Sequence, residues 1–325
     1  MKIGNLELLC PVSLAPMAGY TDRAMRSVCH ELGADFSVTE MVSAKAVVYG
    51  DKKTFTLSRI YPDEGPVSLQ IFGSEPEVMA EAAGILSTPR EGVPPIAIDI
   101  NMGCPVRKIF TNGEGSALMK SPELIEKIVA SVTKATPLPV TVKLRAGIDE
   151  GRINAVECAL AAESAGAYAV CIHGRTTKQM YSGTADRDII AKVKSALRIP
   201  VIANGDITSV KSALEMLRYT DADGIAIGRG AVGNPFLFSE IKAALKNEPY
   251  TPPKAHDLTS LALRQLKIAI EDKGEYTAVT ESRKQIALYL HAFRGAAALR
   301  AKINQSTTYR EVEEILKSIP DPEDE

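Results

Sequence analysis

The sequence has few cysteines, and no arrangement of them would hold a structural metal or a disulfide framework. Its five cysteines are odd in number and widely scattered: Cys10, Cys29, Cys104, Cys158 and Cys171. No C-x-x-C pair occurs, and no spacing of cysteine and histidine suits zinc. We therefore expect neither disulfides nor a structural metal.

The chain also lacks a long apolar run and a strong net charge. No apolar stretch approaches the roughly 18 residues that a membrane span needs. Residues 1–9 carry charges where a signal peptide would be apolar, so we expect a cytoplasmic protein without a membrane partner. The formal net charge of −2 provides no bulk attraction to nucleic acid, and such a partner would need a local basic patch.

What the sequence does contain is an alternation of short, apolar, β-rich runs with helical patterns from residue 13 to about residue 245. The eight runs are VSLAPMAG, ADFSVTE, VSLQIFG, IAIDINMG, VTVKLRAG, AYAVCIHG, VIANGDI and GIAIGRG. Alternating strands and helices indicate parallel strands with crossover helices. Eight repeats favour an α/β fold of the closed (β/α)8 TIM-barrel type over an open sheet.

The pattern changes after the last of these runs. A polar, Pro-rich stretch, KNEPYTPPKAHD, leads into helical patterns with no strand signal. We expect residues 1–245 to form the barrel, 246–257 a linker, and 258–325 a small helical domain with a disordered acidic tail, PDPEDE. Two barrel helices are predicted in detail: 74–86, with a capping box between Ser74 and Glu77, and 121–134, with Ser121 as N-cap and Pro122 in the first turn.

Unusual polar residues fall at or just after the C-terminal ends of the predicted strands. In a (β/α)8 barrel these ends share one rim, which carries the catalytic residues. The residues concerned are Gln70, Asn101, Lys143, Arg145, His173, Asn204, Asp206 and Arg229. The sequence therefore predicts a polar site at that rim.

Two cations share one face of the fifth predicted strand, because VTVKLRAG alternates. Lys143 and Arg145 then point toward the barrel interior or its mouth, where they need an anion. That anion is either a ligand or Asp99 on the neighbouring strand, and the residues leave both open. His173 is likewise either a functional residue of the rim or a structural histidine.

The segment from Gly228 to Gly233 matches the G-x-G-x-x-G pattern of dinucleotide sites. It follows the last strand, and no later strand could place an acidic residue against a ribose, so we reject a dinucleotide-binding fold. Glycines after the seventh and eighth strands of a barrel instead expose backbone N–H groups to phosphate. Together with ANGDITS, in which residues 206–209 open the next helix, the pattern favours a phosphorylated ligand.

Cys104 differs from the other four cysteines, which are expected to be small core residues. Gly103 and Pro105 place it on a turn at the rim, ahead of a long Gly-containing loop. A thiol with an unperturbed pKa of about 8.5 is largely protonated at neutral pH. Cys104 could therefore donate a proton or act as a nucleophile.

Seven motifs, in order, make the sequence similar to one family. LAPMAGYTD, LQIFG, DINMGCPVRK, VKLRAG, IHGRT, ANGDI and GRGAVGNP resemble the tRNA-dihydrouridine synthases, flavoenzymes that reduce uridine in tRNA. The resemblance covers roughly residues 13–241 and extends less sharply into the helical tail. It implies hydride transfer from reduced FMN to C6 of uracil, protonation of C5 by Cys104, and NADPH or NADH as the reductant.

The resemblance also implies roles for the residues around the rim. The expected FMN contacts are Pro16, Met17, Ala18, Gln70, Lys143, His173, Asn204, Gly205, Asp206, Gly228 and Arg229. The expected uridine contacts are Asn101, Arg145 and Arg175. Basic residues expected either to grip tRNA phosphates or to form a solvated surface are Arg107, Lys108, Arg175, Lys178 and Arg187, with five Lys and Arg among residues 280–302 of a tRNA-binding helical domain.

Other interpretations stay open: a flavin barrel acting on a free dihydropyrimidine such as dihydroorotate, an RNA-binding protein with secondary flavin chemistry, or a phosphate-binding isomerase barrel. An activity on a free dihydropyrimidine would not need the helical domain, so that activity should survive deletion of residues 254–325.

The chain departs from the family pattern at Arg187, where tryptophan is common, in loop 109–115, and at Gln285, where a basic residue is common. No tryptophan occurs anywhere in the sequence. We expect a monomer.

Overall fold

The computed structural model describes residues 1–3, 6–89, 91–291 and 293–319, and its centre is a closed barrel of eight parallel strands. These strands are β1 (Val12–Leu14), β2 (Ser37–Val38), β3 (Val67–Phe72), β4 (Ala97–Met102), β5 (Val140–Arg145), β6 (Ala169–His173), β7 (Val201–Asn204) and β8 (Gly224–Ile227). Each strand pairs with the next along the chain, and β8 pairs with β1. The predicted TIM barrel is confirmed.

Helices surround the barrel, and further helices follow it. They are α1 (Arg23–Glu31), α2 (Ala44–Val48), α3 (Lys52–Ser58), α4 (Pro76–Ser87), α5 (Arg107–Thr111), α6 (Pro122–Ala135), α7 (Ala155–Ser164), α8 (Arg187–Ala196), α9 (Val210–Thr220), α10 (Leu237–Lys246), α11 (Ala255–Lys273), α12 (Glu275–Tyr289), α13 (Ala296–Gln305) and α14 (Tyr309–Lys317). Short 3-10 segments span Pro62–Glu64, Gly115–Lys120 and Arg229–Ala231. Minor strands are Lys2–Ile3 with Leu6–Glu7, Val42–Ser43 beside β3, and Gly147–Asp149 with Arg152–Ile153.

The two helices that were predicted in detail differ in how they begin. At α6 the Ser121 side chain accepts a hydrogen bond from the Leu124 N–H at 3.3 Å, as expected. At α4 the predicted capping box of Ser74 and Glu77 is wrong, because the helix begins at Pro76 and Glu75 holds the cap position without a side-chain bond. Proline has a φ already suited to the first helical position, which moves the start past Ser74.

Side chains facing the barrel wall explain how the helices are held. Helix α6 turns Ile125, Ile128, Val129 and Val132 inward, and all four are fully buried. Their i, i+3, i+4, i+7 spacing forms one apolar stripe. Each contributes about 1.5–3 kcal/mol through burial, which anchors the helix without any specific polar contact.

Apolar side chains fill the N-terminal end of the barrel. Ile3, from the N-terminal hairpin, is 1% exposed and packs with Phe36, Val38 and Ile202. The residual space at this level is about 20 Å³, enough for one water molecule.

The strand register brings the polar residues of the rim next to one another. Gln70 on β3 is level with Asp99 on β4, and Asn101 is level with Lys143 on β5. His173 on β6 is level with Asn204 on β7. Because alternate residues of a strand share a face, Asp99 and Asn101 both point into the barrel.

The C-terminal helices pack on the barrel through α1. Ala24 and Val28 of α1 share an apolar cluster with Leu261, Leu266 and Ile286 of the C-terminal helices. Helix α11 begins at Ala255, inside the stretch predicted to be a linker. The acidic tail at residues 320–325 lies outside the described residues, and the division into domains stays a prediction.

Charged contacts reinforce this packing between the barrel and the C-terminal helices. The Lys273 ammonium lies 2.7 Å from a carboxylate oxygen of Asp22, and Arg264 contacts Glu31 at the same distance.

Among the residues described, no helix is both long enough and apolar enough to cross a membrane.

Candidate active site

A cavity of about 790 Å³ opens at the C-terminal rim of the barrel, and the predicted site residues converge on it. The predicted residues that line it are Pro16, Met17, Ala18, Gln70, Asn101, Cys104, Lys143, Arg145, His173, Asn204, Gly205, Asp206, Gly228 and Arg229. Arg175 is the one member of the predicted set that is not among the lining residues. A volume of this size suits a cofactor or a drug-sized ligand.

Several lining residues were not predicted from the sequence. Tyr20 lies within the LAPMAGYTD motif, and Met41 follows β2. Tyr181 comes from the loop after β6, where its exposed ring contacts Arg145 and Arg229. Leu288 comes from α12, so a C-terminal helix forms part of the cavity wall, and no sequence pattern pointed to it.

Lys143 does not form the alternative ion pair with Asp99. Its ammonium donates to the side-chain oxygen of Asn204 at 3.0 Å, and Asn204 in turn donates to the carbonyl of Ala226 at 2.7 Å. Burial lowers the pKa of Lys143, and the nearby Arg145 adds to that effect. The ammonium therefore favours an anionic partner, and the cavity it faces is where a ligand could supply one.

Asp99 is instead satisfied by neutral donors. Gln70 donates from Nε2 to Oδ2 at 2.7 Å, and Thr141 donates from its hydroxyl to Oδ1 at 2.5 Å. Burial raises the pKa of Asp99, while these two hydrogen bonds and Lys143 oppose the rise. The carboxylate is 4% exposed, so its two acceptors are used inside the barrel.

His173 is held as a neutral imidazole. Burial, and then the surrounding charges of Lys143, Arg145, Arg175 and Arg229, lower its pKa to about 2. A histidine in this state cannot supply a proton as a cation at physiological pH, but it can still donate one hydrogen bond and accept another. The geometry therefore suits His173 to neutral hydrogen bonding, and its contact with a cofactor stays a prediction.

The corner formed by the loops after β7 and β8 is tightly packed and rich in free N–H groups. A Cβ at Gly230 would lie 2.1 Å from the Ile207 carbonyl oxygen, so the two loops touch only because this residue is glycine. In the part of the chain that is described, the N–H groups of Gly205, Gly228 and Arg229 make no backbone hydrogen bond. Such unused N–H groups are what a phosphate requires.

Arg175 is bound on several sides by other groups of the protein. It is 2% exposed and makes a two-point contact with the Asp206 carboxylate, at 2.7 and 3.0 Å. Its other bonds go to the carbonyls of Ser182 and Gly183. These bonds fix the loops after β6 and β7, and the role of Arg175 in binding uridine and tRNA stays a prediction.

Cys104 lies on a turn that is held from both sides. The side-chain oxygen of Asn101 accepts from the N–H groups of Gly103 at 3.2 Å and Cys104 at 2.9 Å. On the other side, the Cys104 carbonyl accepts from the backbone and the hydroxyl of Ser116. Burial raises the pKa of the Cys104 thiol, so it remains protonated at neutral pH.

Arg145 is partly committed to the protein and partly free. Its Nε donates to the Gly103 carbonyl at 2.7 Å, and its Nη1 donates to the carbonyls of Thr176 and Met180, each at 2.9 Å. Its Nη2 makes no hydrogen bond within the described residues and belongs to a side chain that lines the cavity. Asn101 is more fully used, since its oxygen holds the Cys104 turn and its Nδ2 donates to Gln70.

The predicted basic surface is only partly available. Arg107, Lys108 and Lys178 are exposed, whereas Arg187 contacts Glu215 at 3.4 Å. On α12 the Lys284 ammonium lies 4.3 Å from the centre of the Tyr20 ring, at the cavity mouth. Gln285, the departure from the family pattern, is buried between Gln265 and the Tyr20 carbonyl.

No group of three or more His, Cys, Asp or Glu side chains is arranged to hold a metal ion, as far as the described residues go. The cavity lining contributes the cations of Lys143 and Arg145 together with hydrogen-bonding groups. Its polar residues suit an anionic, planar ligand held at its phosphate end by backbone N–H groups.

A barrel whose polar cavity lies at the C-terminal rim is the arrangement of a (β/α)8-barrel enzyme. The model of the dihydrouridine synthase family matches residues 13–321, and the chain belongs to that family, whose members reduce uridine in tRNA to dihydrouridine. The resemblance carried by the motifs is confirmed, as is the expected enzyme class, an oxidoreductase.

Curated relatives support the same membership over nearly the whole chain. A probable tRNA-dihydrouridine synthase of Rickettsia conorii is 40% identical over 306 residues, covering 94% of this chain and 91% of that protein. tRNA-dihydrouridine synthase B of Vibrio vulnificus is 40% identical over 305 residues, with 94% of each chain covered. A probable tRNA-dihydrouridine synthase 1 of Synechocystis is 41% identical over 318 residues, covering 97% and 88%.

Among solved structures, histamine dehydrogenase from Rhizobium sp. 4-9 is similar, with a TM-score of 0.56 and 12% sequence identity. The likeness covers 82% of this chain and 50% of that longer protein. At this identity it supports the barrel fold alone.

Proposed function

We propose that this chain reduces the C5=C6 bond of specific uridines in tRNA, with FMN in the rim cavity and Cys104 as the proton donor. The observation that carries the proposal is the convergence of three features on one cavity: the Cys104 turn, the Lys143 ammonium, and the glycine corner with its free N–H groups. Each feature alone occurs in many barrels, but together they match the needs of a flavin reduction.

The residues present fit FMN. Its phosphate is proposed to bind the N–H groups of Gly205, Gly228 and Arg229, and Lys143 is proposed to stabilise negative charge on the reduced ring. Pro16, Met17 and Ala18, which follow β1, line the same cavity as Cys104, which follows β4. When bound and reduced, FMN supplies a hydride for C6 of the uracil.

The proton is the contribution of Cys104. Addition of hydride at C6 breaks the C5=C6 double bond and leaves an electron pair at C5, which takes the thiol proton. The raised pKa keeps that proton on the sulfur until charge develops at C5. The resulting thiolate is electrostatically stabilised by the nearby Arg145 and recovers a proton from solvent before the next turnover.

The uracil edge is proposed to be held by the remaining donors of the cavity. Arg145 offers Nη2, and Asn101 offers its second amide hydrogen. Tyr181, exposed between two arginines, adds an aromatic surface at the entrance. A uridine stacked within folded RNA must be turned out of its stack to reach these groups.

The wider setting follows from the same reaction. We propose NADPH or NADH as the reductant of FMN, reaching the same cavity in alternation with tRNA, since no separate dinucleotide-binding fold is present among the described residues. The tRNA phosphates are proposed to contact Arg107, Lys108, Lys178 and Lys284. A monomer in the cytoplasm would be sufficient for this activity.

The rival free-pyrimidine reading needs a different test from deletion of the helices. Leu288 of α12 lines the cavity, and the C-terminal helices share apolar packing with α1. Removing residues 254–325 would therefore damage the cavity whichever substrate is used. Offering the intact protein dihydroorotate or free uracil beside tRNA distinguishes the two, and we expect turnover only with tRNA.

The proposal is tested in cells that lack the gene. Dihydrouridine is mapped in their tRNA, then mapped again after complementation with the natural chain or with Cys104→Ala. We expect one or more sites to be lost, restored by the natural chain and not restored by the variant. Unchanged dihydrouridine in the deletion strain, together with purified protein that binds no flavin, would refute the proposal.

A further inference from the structure

A buried carboxylate below the cavity takes no part in the proposed reaction, yet it is linked to Cys104 by an unbroken series of hydrogen bonds. Asp99 accepts from Gln70 Nε2 at 2.7 Å, and Gln70 Oε1 accepts from Asn101 Nδ2 at 2.8 Å. Asn101 Oδ1 then accepts from the N–H of Cys104 at 2.9 Å. We call Asp99, Gln70 and Asn101 the amide network.

The direction of every bond in the amide network follows from its anionic end. A carboxylate can only accept, so Gln70 must turn its NH2 group toward Asp99 and its oxygen toward Asn101. Asn101 must then turn its NH2 group toward Gln70, which leaves its oxygen facing the turn. The residues are 1–8% exposed, so water does not compete for these bonds.

An acceptor at this point is what the turn requires. The N–H groups of Gly103 and Cys104 both point at the Asn101 oxygen, and a reversed amide would present them with a second set of donors. Two donors facing each other inside a protein leave buried polar groups unpaired. The orientation of Asn101 therefore decides whether the turn closes in the observed position.

We infer that Asp99 is a positioning residue for Cys104: through the oriented amides of Gln70 and Asn101, it holds an acceptor beneath the turn that carries the thiol. The importance of that thiol rests on the proposed function, whereas the network is a property of the protein alone. Asp99 touches neither substrate nor cofactor in this account, and it acts through two other side chains.

An exchange of acid and amide between the two ends tests the inference. In Asn101→Asp, carboxylates flank Gln70 on both sides, and its oxygen must face one of them. In Asp99→Asn, the new amide permits either direction, because Thr141 can accept a hydrogen bond as well as donate one. In the double variant D99N/N101D every bond can reform in the opposite direction, with an acceptor still facing Gly103 and Cys104.

The readouts are the thermal midpoint and the hydrogen exchange of the Gly103 and Cys104 amides, measured on the whole chain. We expect N101D to lower the midpoint by at least about 2 °C, because repulsion from the Gln70 oxygen moves the new carboxylate away from the turn. For the same reason we expect it to reduce protection of these amides about tenfold. D99N should have a smaller effect, and the double variant should recover most of both losses. Equal damage by N101D in the natural and D99N backgrounds would overturn the inference.

Two further variants keep the test decisive. Gln70→Met interrupts the network without adding charge, so it must lower the same amide protection if N101D fails to fold; unchanged protection there would also overturn the inference. Ser87→Ala removes a buried hydroxyl bonded to Thr136, away from the rim, and should leave the protection at 103 and 104 unaltered. None of these readouts uses tRNA or flavin, so they stand apart from the success or failure of the proposed function.

Discussion

The Lys143 ammonium donates to the Asn204 side-chain oxygen at 3.0 Å, across the intervening strand β6. Asn204 is itself fixed by its bond to the Ala226 carbonyl, so its oxygen has one orientation. This relationship leaves a half-buried cation with a neutral partner, at the point where the cavity begins. Because the Asn204 amide carries no charge, the positive charge of Lys143 is not neutralised within the protein and can be paired by an anionic ligand.

Replacing Lys143 by methionine tests whether this charge stabilises a reduced flavin. We expect Lys143→Met to lower the two-electron potential of bound flavin by about 30 mV or more, which corresponds to about 1.4 kcal/mol of lost stabilisation. Dihydrouridine formation should fall at least about tenfold. Lys127→Met, at an exposed lysine of α6 outside the cavity, is the matched control. A potential identical in both variants would contradict the assignment.

The glycine corner predicts a specific loss of cofactor. In Gly230→Ala the new methyl group would lie 2.1 Å from the Ile207 carbonyl oxygen and would push the loops after β7 and β8 apart. We expect protein purified from this variant to carry much less flavin, as measured by absorbance near the flavin bands. Gly151→Ala is the control, because its nearest contact would be an ordinary 3.5 Å to the Asp149 side chain. Full flavin content in Gly230→Ala would argue against phosphate binding here.

The buried neutral imidazole of His173 predicts a pH dependence of stability. Its pKa is lowered to about 2 in the folded chain, whereas the unfolded chain protonates it near pH 6.5. Above pH 6.5 the imidazole is neutral in both the folded and the unfolded chain, so the stability that it contributes is fully present. As the pH falls from 6.5 toward 2, the unfolded chain binds a proton that the folded chain does not, and this stability is lost. The unfolding free energy of the natural chain should fall, relative to His173→Asn, by up to about 1.4 kcal/mol per pH unit between pH 6 and 4. Parallel profiles would show that the imidazole is not held neutral.

Contact between the barrel and α12 predicts a sensitive glycine outside the cavity. A Cβ at Gly233 would lie 2.5 Å from the backbone carbon of Leu288, and its φ is +72°. We expect Gly233→Ala to cost more than about 2 kcal/mol of unfolding free energy and to loosen the wall that Leu288 provides. Gly50→Ala, with a φ of +74° and nothing within 4 Å, isolates the backbone strain alone. Equal losses would mean that the α12 contact is unimportant.

The sequence predicted the location of site residues better than their partners. Alternation along β5 correctly turned Lys143 and Arg145 inward, and strand ends correctly marked the rim. Lys143 contacts Asn204 because Gln70 and Thr141, on the strands either side of β4, already donate to Asp99. The sequence of one strand does not contain that information. The local pattern therefore predicted that these side chains lie at the rim, whereas their hydrogen-bond partners depend on the register between strands.

Long-range packing accounts for the contacts that the sequence did not predict. Arg175 looked like a free cation because its partner, Asp206, lies 31 positions further along the chain. Leu288 looked like an ordinary helix residue because nothing in α12 indicates which side faces the barrel. Ser74 had the right spacing for a cap, but Pro76 set the helix start. In each case a contact with a distant part of the chain, or the restricted backbone of proline, determined the structure, and the local sequence pattern did not show it.

The most direct measurement of the central claim is a single turnover with tRNA by purified protein whose flavin has been reduced in advance. It is made with the natural chain, with Cys104→Ala, and with Cys10→Ala as the control at another partly exposed thiol. We expect Cys104→Ala to retain flavin but to oxidise it at least about 100-fold more slowly on adding tRNA, whereas the control should match the natural chain. Flavin oxidation at the natural rate in Cys104→Ala would contradict the assignment of Cys104 as the proton donor.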